Sequence, residues 1–182
     1  MHVAIYCGSQ TGKNEAYKEA AIEIGGTLAS AGHAIVYGGS KIGLMGLMAD
    51  AALAQGGDII GVMPEHLQKR ELAHKQLTEL HIVDSMHTRK AKMIDLSDAL
   101  LAMPGGCGTL DEYFEAFTWA QIGLHDKPVI LYNVDGFYDA LIAHFEKMMS
   151  EGFIREEQHE LFHVVTTAQE LVVLLKQYEC VV

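Results

Sequence analysis

Cysteine, proline and positive charge are all scarce in this 182-residue chain. No apolar run approaches the roughly eighteen residues that a membrane-spanning helix needs. The three cysteines, Cys7, Cys107 and Cys180, are odd in number, widely spaced and without a CxxC pair. That excludes a disulfide framework and a cysteine-rich zinc site, and a reducing cytoplasm is the expected compartment. The start, MHVAIYCGS, has no basic region followed by a long apolar stretch, so no secretory signal is expected. Thirteen Lys and Arg stand against twenty-four Asp and Glu, a formal net charge of −11. Such a surface repels nucleic acid and anionic lipid at long range, so neither is an expected partner. Any anionic ligand must be captured by a local site.

What is abundant is apolar sequence, 49% of the chain with only three prolines. A chain of this length buries about 70% of its unfolded surface, which suits one domain over residues 1–182 held without disulfide or structural metal. Short runs rich in Val, Ile and Ala alternate with longer segments of helical period, and glycine clusters mark several joins. This rhythm predicts βαβ units and a parallel sheet. The predicted strands are His2–Tyr6, Ala34–Tyr37, Ile59–Met63, Leu80–Val83, Ala99–Met103, Val129–Tyr132 and Val164–Thr166. Their nearly continuous hydrophobicity fits strands covered on both faces.

Tyr17, Ala20, Ala21, Ile24, Leu28 and Ala31 share one helical stripe, as do Phe137, Tyr138, Leu141, Ile142, Phe145 and Met148. In Leu110–Leu124 the apolar residues spread around most of the circumference, so that helix must be covered on two sides. One side would meet the sheet, the other either a second subunit or another helix of the same chain. Residues Pro64–Thr78 show mixed charge and little period and read as a loop near the site.

Three strand ends carry glycine-rich turns: Cys7–Gly12, Gly38–Ser40 and Pro104–Thr109. In an open parallel sheet ligands bind outside the carboxyl ends of the strands. Turns of this composition present backbone N–H groups there, Ser9 and Gly39 among the candidate contacts. The third leads straight into a helix whose free amides and positive dipole end suit a phosphate, with the Thr109 hydroxyl as a further donor. None matches GxxxxGK[ST], and GGCGT lacks the GxGxxG spacing. Asp111 and Glu112 follow in the helix's first turn, where the dipole alone favours carboxylates. Beside a phosphate they must face another part of the ligand, and a sugar, with its hydroxyls and its developing cation, is the natural one. Positive charge comes from Ser85–Met93, read as a helix capped by Ser85, on which Lys90 shares a face with Met86, Met93 and Ile94 while Arg89 offers a planar fork to oxygen ligands.

Pro104–Glu112 resembles the PGGxGTxxE motif of the LONELY GUY (LOG) family, the cytokinin-activating nucleoside 5′-monophosphate phosphoribohydrolases. Tyr6–Ser9, Tyr37–Gly39 with Gly43–Gly46, Met86–Ala91, Thr118–Gln121, Asp126–Val129 and Asn133–Tyr138 resemble family segments in the same order. The resemblance spans roughly residues 3–155. It implies a Rossmann-like, doubly wound homodimer that hydrolyses the N-glycosidic bond of an adenine-type nucleotide, releasing base and ribose 5-phosphate without a metal or other cofactor. Arg89 and Glu112 would be the catalytic pair. Glu71, Lys90 and the loop Gly105, Gly106, Cys107, Gly108, Thr109, Leu110 and Asp111 would bind substrate, together with Thr118. The chain departs from the family at Thr88, usually Glu, and at Cys107, often Tyr. Related folds include molybdenum-cofactor carriers, so a noncatalytic nucleotide or cofactor carrier is the alternative. Family members have also been labelled lysine decarboxylases, yet nothing here looks like a pyridoxal-phosphate lysine site.

Two further patterns point elsewhere. His159–His163 matches HExxH, which on a helix would present two His to zinc. A strand is predicted immediately afterwards and no third ligand follows, so a zinc site is not expected. Cys107, at a helix start, has no CxxxxxR pattern behind it and is not expected to be a nucleophile. Of the ten histidines, His87 beside Arg89 is the one nearest the expected site.

Overall fold

The computed structural model describes residues 1–68 and 73–179. Seven strands, β1 (His2–Tyr6), β2 (Ala34–Tyr37), β3 (Ile59–Pro64), β4 (Glu79–Val83), β5 (Ala99–Ala102), β6 (Val129–Tyr132) and β7 (Phe162–Val165), form one parallel sheet in the order β4-β3-β2-β1-β5-β6-β7. The doubly wound parallel sheet is thus as expected from the apolar runs. Only the last strand shifts appreciably, starting at Phe162 rather than Val164.

Alternate residues of the inner strands feed two separate cores, whereas the edge strand β4, expected to be covered on both faces, is largely exposed. Val3, Ile5, Ile35, Tyr37 and Leu101 face one side, with α1 (Glu15–Ser30), α2 (Gly43–Ala54) and α7 (Ala168–Glu179). Ala4, Tyr6, Val36, Leu100 and Leu131 face the other, with α4 (Met86–Asp95), α5 (Cys107–Gln121) and α6 (Asp139–Ser150). A strand buried on both faces has no reason to alternate polar and apolar residues. Helices α2 and α7 carry no signal singled out above. In α2 the run GLMGLMADAALA is apolar nearly all round, so no stripe marks it. It lies so close to α1 that a Cβ on Gly25 would come within 2.2 Å of the Met48 carbonyl oxygen.

The apolar helix α5 buries Tyr113, Ala116, Phe117 and Ala120, and α6 covers part of its outer side through Phe114 stacked on Phe145 at 5.9 Å. A covering helix of the same chain therefore exists, while Ile122 and Leu124 just beyond the helix stay exposed. The stripe beginning at Phe137 starts ahead of its helix: residues 134–136 form a short 3-10 turn, with Asp135 at φ 49°, Phe137 and Tyr138 follow it, and α6 starts only at Asp139. The Tyr138 hydroxyl donates to the Met103 carbonyl at 2.6 Å and so ties down the end of β5 just before the glycine turn.

Residues 65–68 form a single helical turn, α3, and after residues 69–72, outside the described residues, the chain returns beside β2. There Ala73 bridges Ser40, and the His74 amide donates to the Gly39 carbonyl at 2.9 Å. The HExxH segment is not helical in the α sense. It runs through a 3-10 turn, Glu156–Leu161, into β7, and His163 Nε2 lies 2.8 Å from the Tyr178 hydroxyl. Two histidines on one α-helical face, the premise of the zinc reading, are absent from this segment.

Candidate active site

From β1 the chain winds outward in one direction through β2, β3 and β4, and in the other through β5, β6 and β7. The crevice between β1 and β5 is therefore the switch point, the place where an open α/β sheet takes its ligand. The three glycine turns leave β2, β1 and β5, three adjacent strands, so they meet at this crevice. The Gly8 amide donates to the Pro104 carbonyl at 3.1 Å and locks two of them together.

Helix α5 starts at Cys107 behind Gly106, an N-cap with no side chain to turn inward. The amides of Cys107, Gly108 and Thr109 precede the first amide that donates within the helix, that of Leu110 to the Gly106 carbonyl, so they and the positive helix end are open to a ligand. They border a cavity of ≈ 350 Å³ also lined by Ser9, Gly38, Met45, Met86, Arg89, Asp111 and Glu112. A smaller, more apolar cavity of ≈ 250 Å³ adjoins it across Gly8, Ser9 and Gly106, and Gly105, Tyr17, Leu44 and Phe137 belong to its wall.

Arg89 and Glu112 arrive from different helices. Ser85 caps α4 by accepting the Thr88 amide at 3.1 Å, which fixes where that helix starts and aims Arg89, in its first turn, at the cavity. Glu112, in the second turn of α5 rather than the first turn expected from the sequence, faces it. The Arg89 Nη2 to Glu112 Oε1 distance is 3.7 Å, and both residues are 8% exposed. At that distance they attract without a hydrogen bond, so the guanidinium and carboxylate keep bonding capacity for a third group. Burial pushes the Glu112 carboxyl above its ordinary range; Arg89 pulls it down and Asp111 pushes it further up. Arg89 Nε is buried without a partner among the described residues, as is the Tyr6 hydroxyl, whose ionisation burial and the Glu112 charge suppress.

Lys90 takes a different course from that expected. Its ammonium donates to Asp111 Oδ2 at 3.0 Å and to Glu115 Oε2 at 2.8 Å, and its side chain is 6% exposed. It does not line the cavity. Desolvation lowers its pKa, but the bonds and charges of Glu115 and Asp111 outweigh this and leave it raised. Lys90 is thus a clamp between α4 and α5, holding the helices that carry Arg89 and Glu112. Glu115 belongs to no motif, although its spacing of four from Asp111 puts both carboxylates on one helix face.

The remaining candidates distribute plainly. Ser9, Gly106, Cys107, Gly108, Thr109 and Asp111 line the main cavity; Gly105 lines the adjoining one. Gly39 lies outside both, and its neighbour Gly38 takes the place on the wall. Leu110 is half-buried and outside both linings, while Thr118 is exposed almost three turns along α5. His87 is exposed and also outside the lining. Glu71 lies outside the described residues. Thr88 is used locally: its hydroxyl donates to Asp84 at 2.5 Å and contacts Ser85 Oγ at 2.8 Å. It stands at the third helical position, where a Glu would complete a capping box. Cys7 is buried, and burial raises its thiol pKa beyond useful reactivity, whereas Cys107 is exposed on the cavity rim.

Residues 45–175 match the family described as possible lysine decarboxylase. The chain is 46% identical over 176 residues to a cytokinin riboside 5′-monophosphate phosphoribohydrolase of Oryza sativa subsp. japonica, covering 97% of this chain and 73% of that protein. It is likewise 46% identical to an enzyme of the same name from Arabidopsis thaliana, covering 97% and 82%. Among solved structures it resembles the Moco carrier protein of Chlamydomonas reinhardtii, with TM-score 0.75, 19% identity and coverage of 100% and 98%. It also resembles a molybdenum cofactor binding protein of Rippkaea orientalis, with TM-score 0.73, 18% identity and coverage of 97% and 95%.

Proposed function

The chain belongs to the LOG family of phosphoribohydrolases, and on that premise we propose that it hydrolyses the N-glycosidic bond of adenine-type nucleoside 5′-monophosphates, AMP or a cytokinin riboside monophosphate. The observation that carries the reading is the buried Arg89–Glu112 pair, 3.7 Å apart, opening onto a cavity that ends at the uncapped start of α5. A nucleotide laid across it has its phosphate on the Cys107–Thr109 amides and its ribose toward Glu112.

Water adds across the bond from C1′ to the base nitrogen. Its oxygen joins C1′, one proton stays on that oxygen, and the other reaches the departing base. As C1′ loses the base it gains oxocarbenium character, and a carboxylate in a poorly solvated site stabilises that charge strongly. Glu112 therefore acts ionised, accepting from ribose hydroxyls or orienting the water. Arg89, whose Nε has no partner among the described residues and whose Nη1 donates only to the Met86 sulfur at 3.8 Å, binds phosphate or ribose, or assists the leaving base. Lys90, Asp111 and Glu115 hold the two helices in register. Pyridoxal chemistry, the premise of a lysine decarboxylase, does not fit this cavity: among the described residues its lining contains no lysine to form the imine, and Lys90 is engaged by two carboxylates.

The free Cys7 and Cys107 support a reducing cytoplasm, and among the described residues no helix is long and apolar enough to cross a membrane. Exposed Phe114 on α5, with Ile122 and Leu124 just beyond it, supports a homodimer, which light scattering would measure. Incubation with AMP and with N6-isopentenyladenosine monophosphate, followed by chromatography for free base, tests the function. Release from the monophosphates and much slower release from the nucleosides supports it. Binding without turnover would favour the carrier alternative, and equal turnover of nucleosides would contradict the phosphate anchor.

A further inference from the structure

Two adjacent glycines end β2, and they are there for different reasons. Gly39 sits at φ 72°, the left-handed region that favours glycine. Gly38 lies outside that region, so its backbone does not call for glycine. Its neighbourhood does. A Cβ placed on Gly38 would come 1.8 Å from Arg89 Nη2, 3.0 Å from Arg89 Cζ and 3.1 Å from Met45 Sδ. The Arg89 head therefore lies against the bare Cα of residue 38. Among the described residues nothing else holds it firmly: Nε has no partner, Nη1 makes only a long hydrogen bond to Met86 Sδ at 3.8 Å, and Nη2 is 3.7 Å from Glu112. With only that weak N–H···S bond among the described residues, the position of the guanidinium depends on the shape of its slot.

We propose that Gly38 is a positioning residue, whose missing side chain creates the slot that seats the Arg89 guanidinium against Glu112. It touches the reaction only through Arg89, and its effect on turnover rests on the catalytic reading above. A methyl group at 38 displaces the free end of a flexible side chain rather than backbone, so the chain still folds while the pair is misaligned. Displacements of about an ångström at such groups cost on the order of a hundredfold in rate.

The test is a cycle of four proteins: parent, Gly38→Ala, Arg89→Ala and the double variant, each measured for melting temperature and for kcat and KM with AMP. Gly38→Ala is expected to keep the circular dichroism spectrum and lower kcat/KM at least tenfold. Its kcat and KM should move in the same sense as in Arg89→Ala. In the Arg89→Ala background the same substitution should change kcat/KM by less than twofold. Melting should invert, with Gly38→Ala lowering the midpoint when Arg89 is present and leaving it unchanged or raised when Arg89 has been truncated. Gly26→Ala, whose Cβ would meet only Gln55 Cγ at 3.9 Å, serves as the control with parental activity. Equal losses in both backgrounds, or no loss beside Arg89, would overturn the proposal. If the parent turns over neither AMP nor N6-isopentenyladenosine monophosphate, the functional reading fails and the melting cycle alone judges Gly38; it also decides if Arg89→Ala is too slow to measure.

Discussion

Replacing Lys90 by Met separates a clamp from a substrate ligand. Methionine keeps most of the buried stem and removes the ammonium, so the change is chiefly electrostatic. Two carboxylates lose their partner: Glu115, whose side chain is 23% exposed, and Asp111, at 62%. Removing one member of a buried ion pair costs about 3–5 kcal/mol, whereas an exposed pair is worth about 0–1 kcal/mol. Glu115 keeps some access to water, which places the expected loss at about 2–4 kcal/mol. For a chain of this size that lowers the melting midpoint by about 5–15 °C. Thermal and urea unfolding at pH 7 measure it, and Lys90→Met/Glu115→Leu should recover most of the loss because no unpaired buried charge remains. AMP affinity measured on the folded protein should change less than threefold, since Lys90 lies outside the cavity lining. An unchanged midpoint with tenfold weaker AMP binding would refute the clamp and restore Lys90 as a ligand.

Other consequences follow from the same geometry. Burial raises the Glu112 pKa above its ordinary 4.5, so the fold prefers the neutral acid. Its stabilising contribution is full below about pH 4.5 and is lost as pH rises through the raised folded value. The melting temperature of Glu112→Gln minus that of the parent should therefore increase as pH rises through that window, and a flat difference would contradict the burial argument. On the proposed mechanism the ionised form works, so the acid limb of the kcat/KM profile, which reports the free enzyme, should lie above pH 4.5, whereas a limb at or below that value would count against the assignment. Iodoacetamide should alkylate Cys107, exposed on the rim, and AMP should slow that labelling as read by peptide mass; an unaffected rate would place the nucleotide elsewhere. Ser85→Ala removes the cap of α4 and should cost about 1 kcal/mol in urea titrations, with no loss arguing against that cap.

Much of the fold could be read directly because burial on both faces leaves a plain mark: β1, β2 and β6 coincide with their apolar runs to the residue. The same condition hid α2, whose apolar residues run all round and form no stripe. The site's centre was legible through Pro104–Glu112, where glycines, a hydroxyl and two carboxylates fall together at a strand-to-helix turn. Its supports were less so. That Lys90 meets Glu115 depends on how α4 lies against α5, and that Gly38 matters more than Gly39 to the cavity wall depends on the path of the Arg89 side chain. Contacts between elements distant in sequence leave no local pattern. HELFH shows the converse, a local pattern that tertiary structure does not use as a helix: its second histidine already belongs to β7.

The central claim is that Glu112, facing Arg89 at the switch point, drives cleavage of the glycosidic bond. Release of adenine from AMP by Glu112→Gln, with folding checked by circular dichroism and melting, tests it most directly. The variant keeps the shape of the side chain and one acceptor oxygen, replaces the other oxygen with an NH2 donor, and cannot carry the charge. The expected result is a fall in kcat of about a hundredfold or more, the scale for losing one electrostatic stabiliser of the transition state. A folded variant that releases adenine at the parental rate would contradict it.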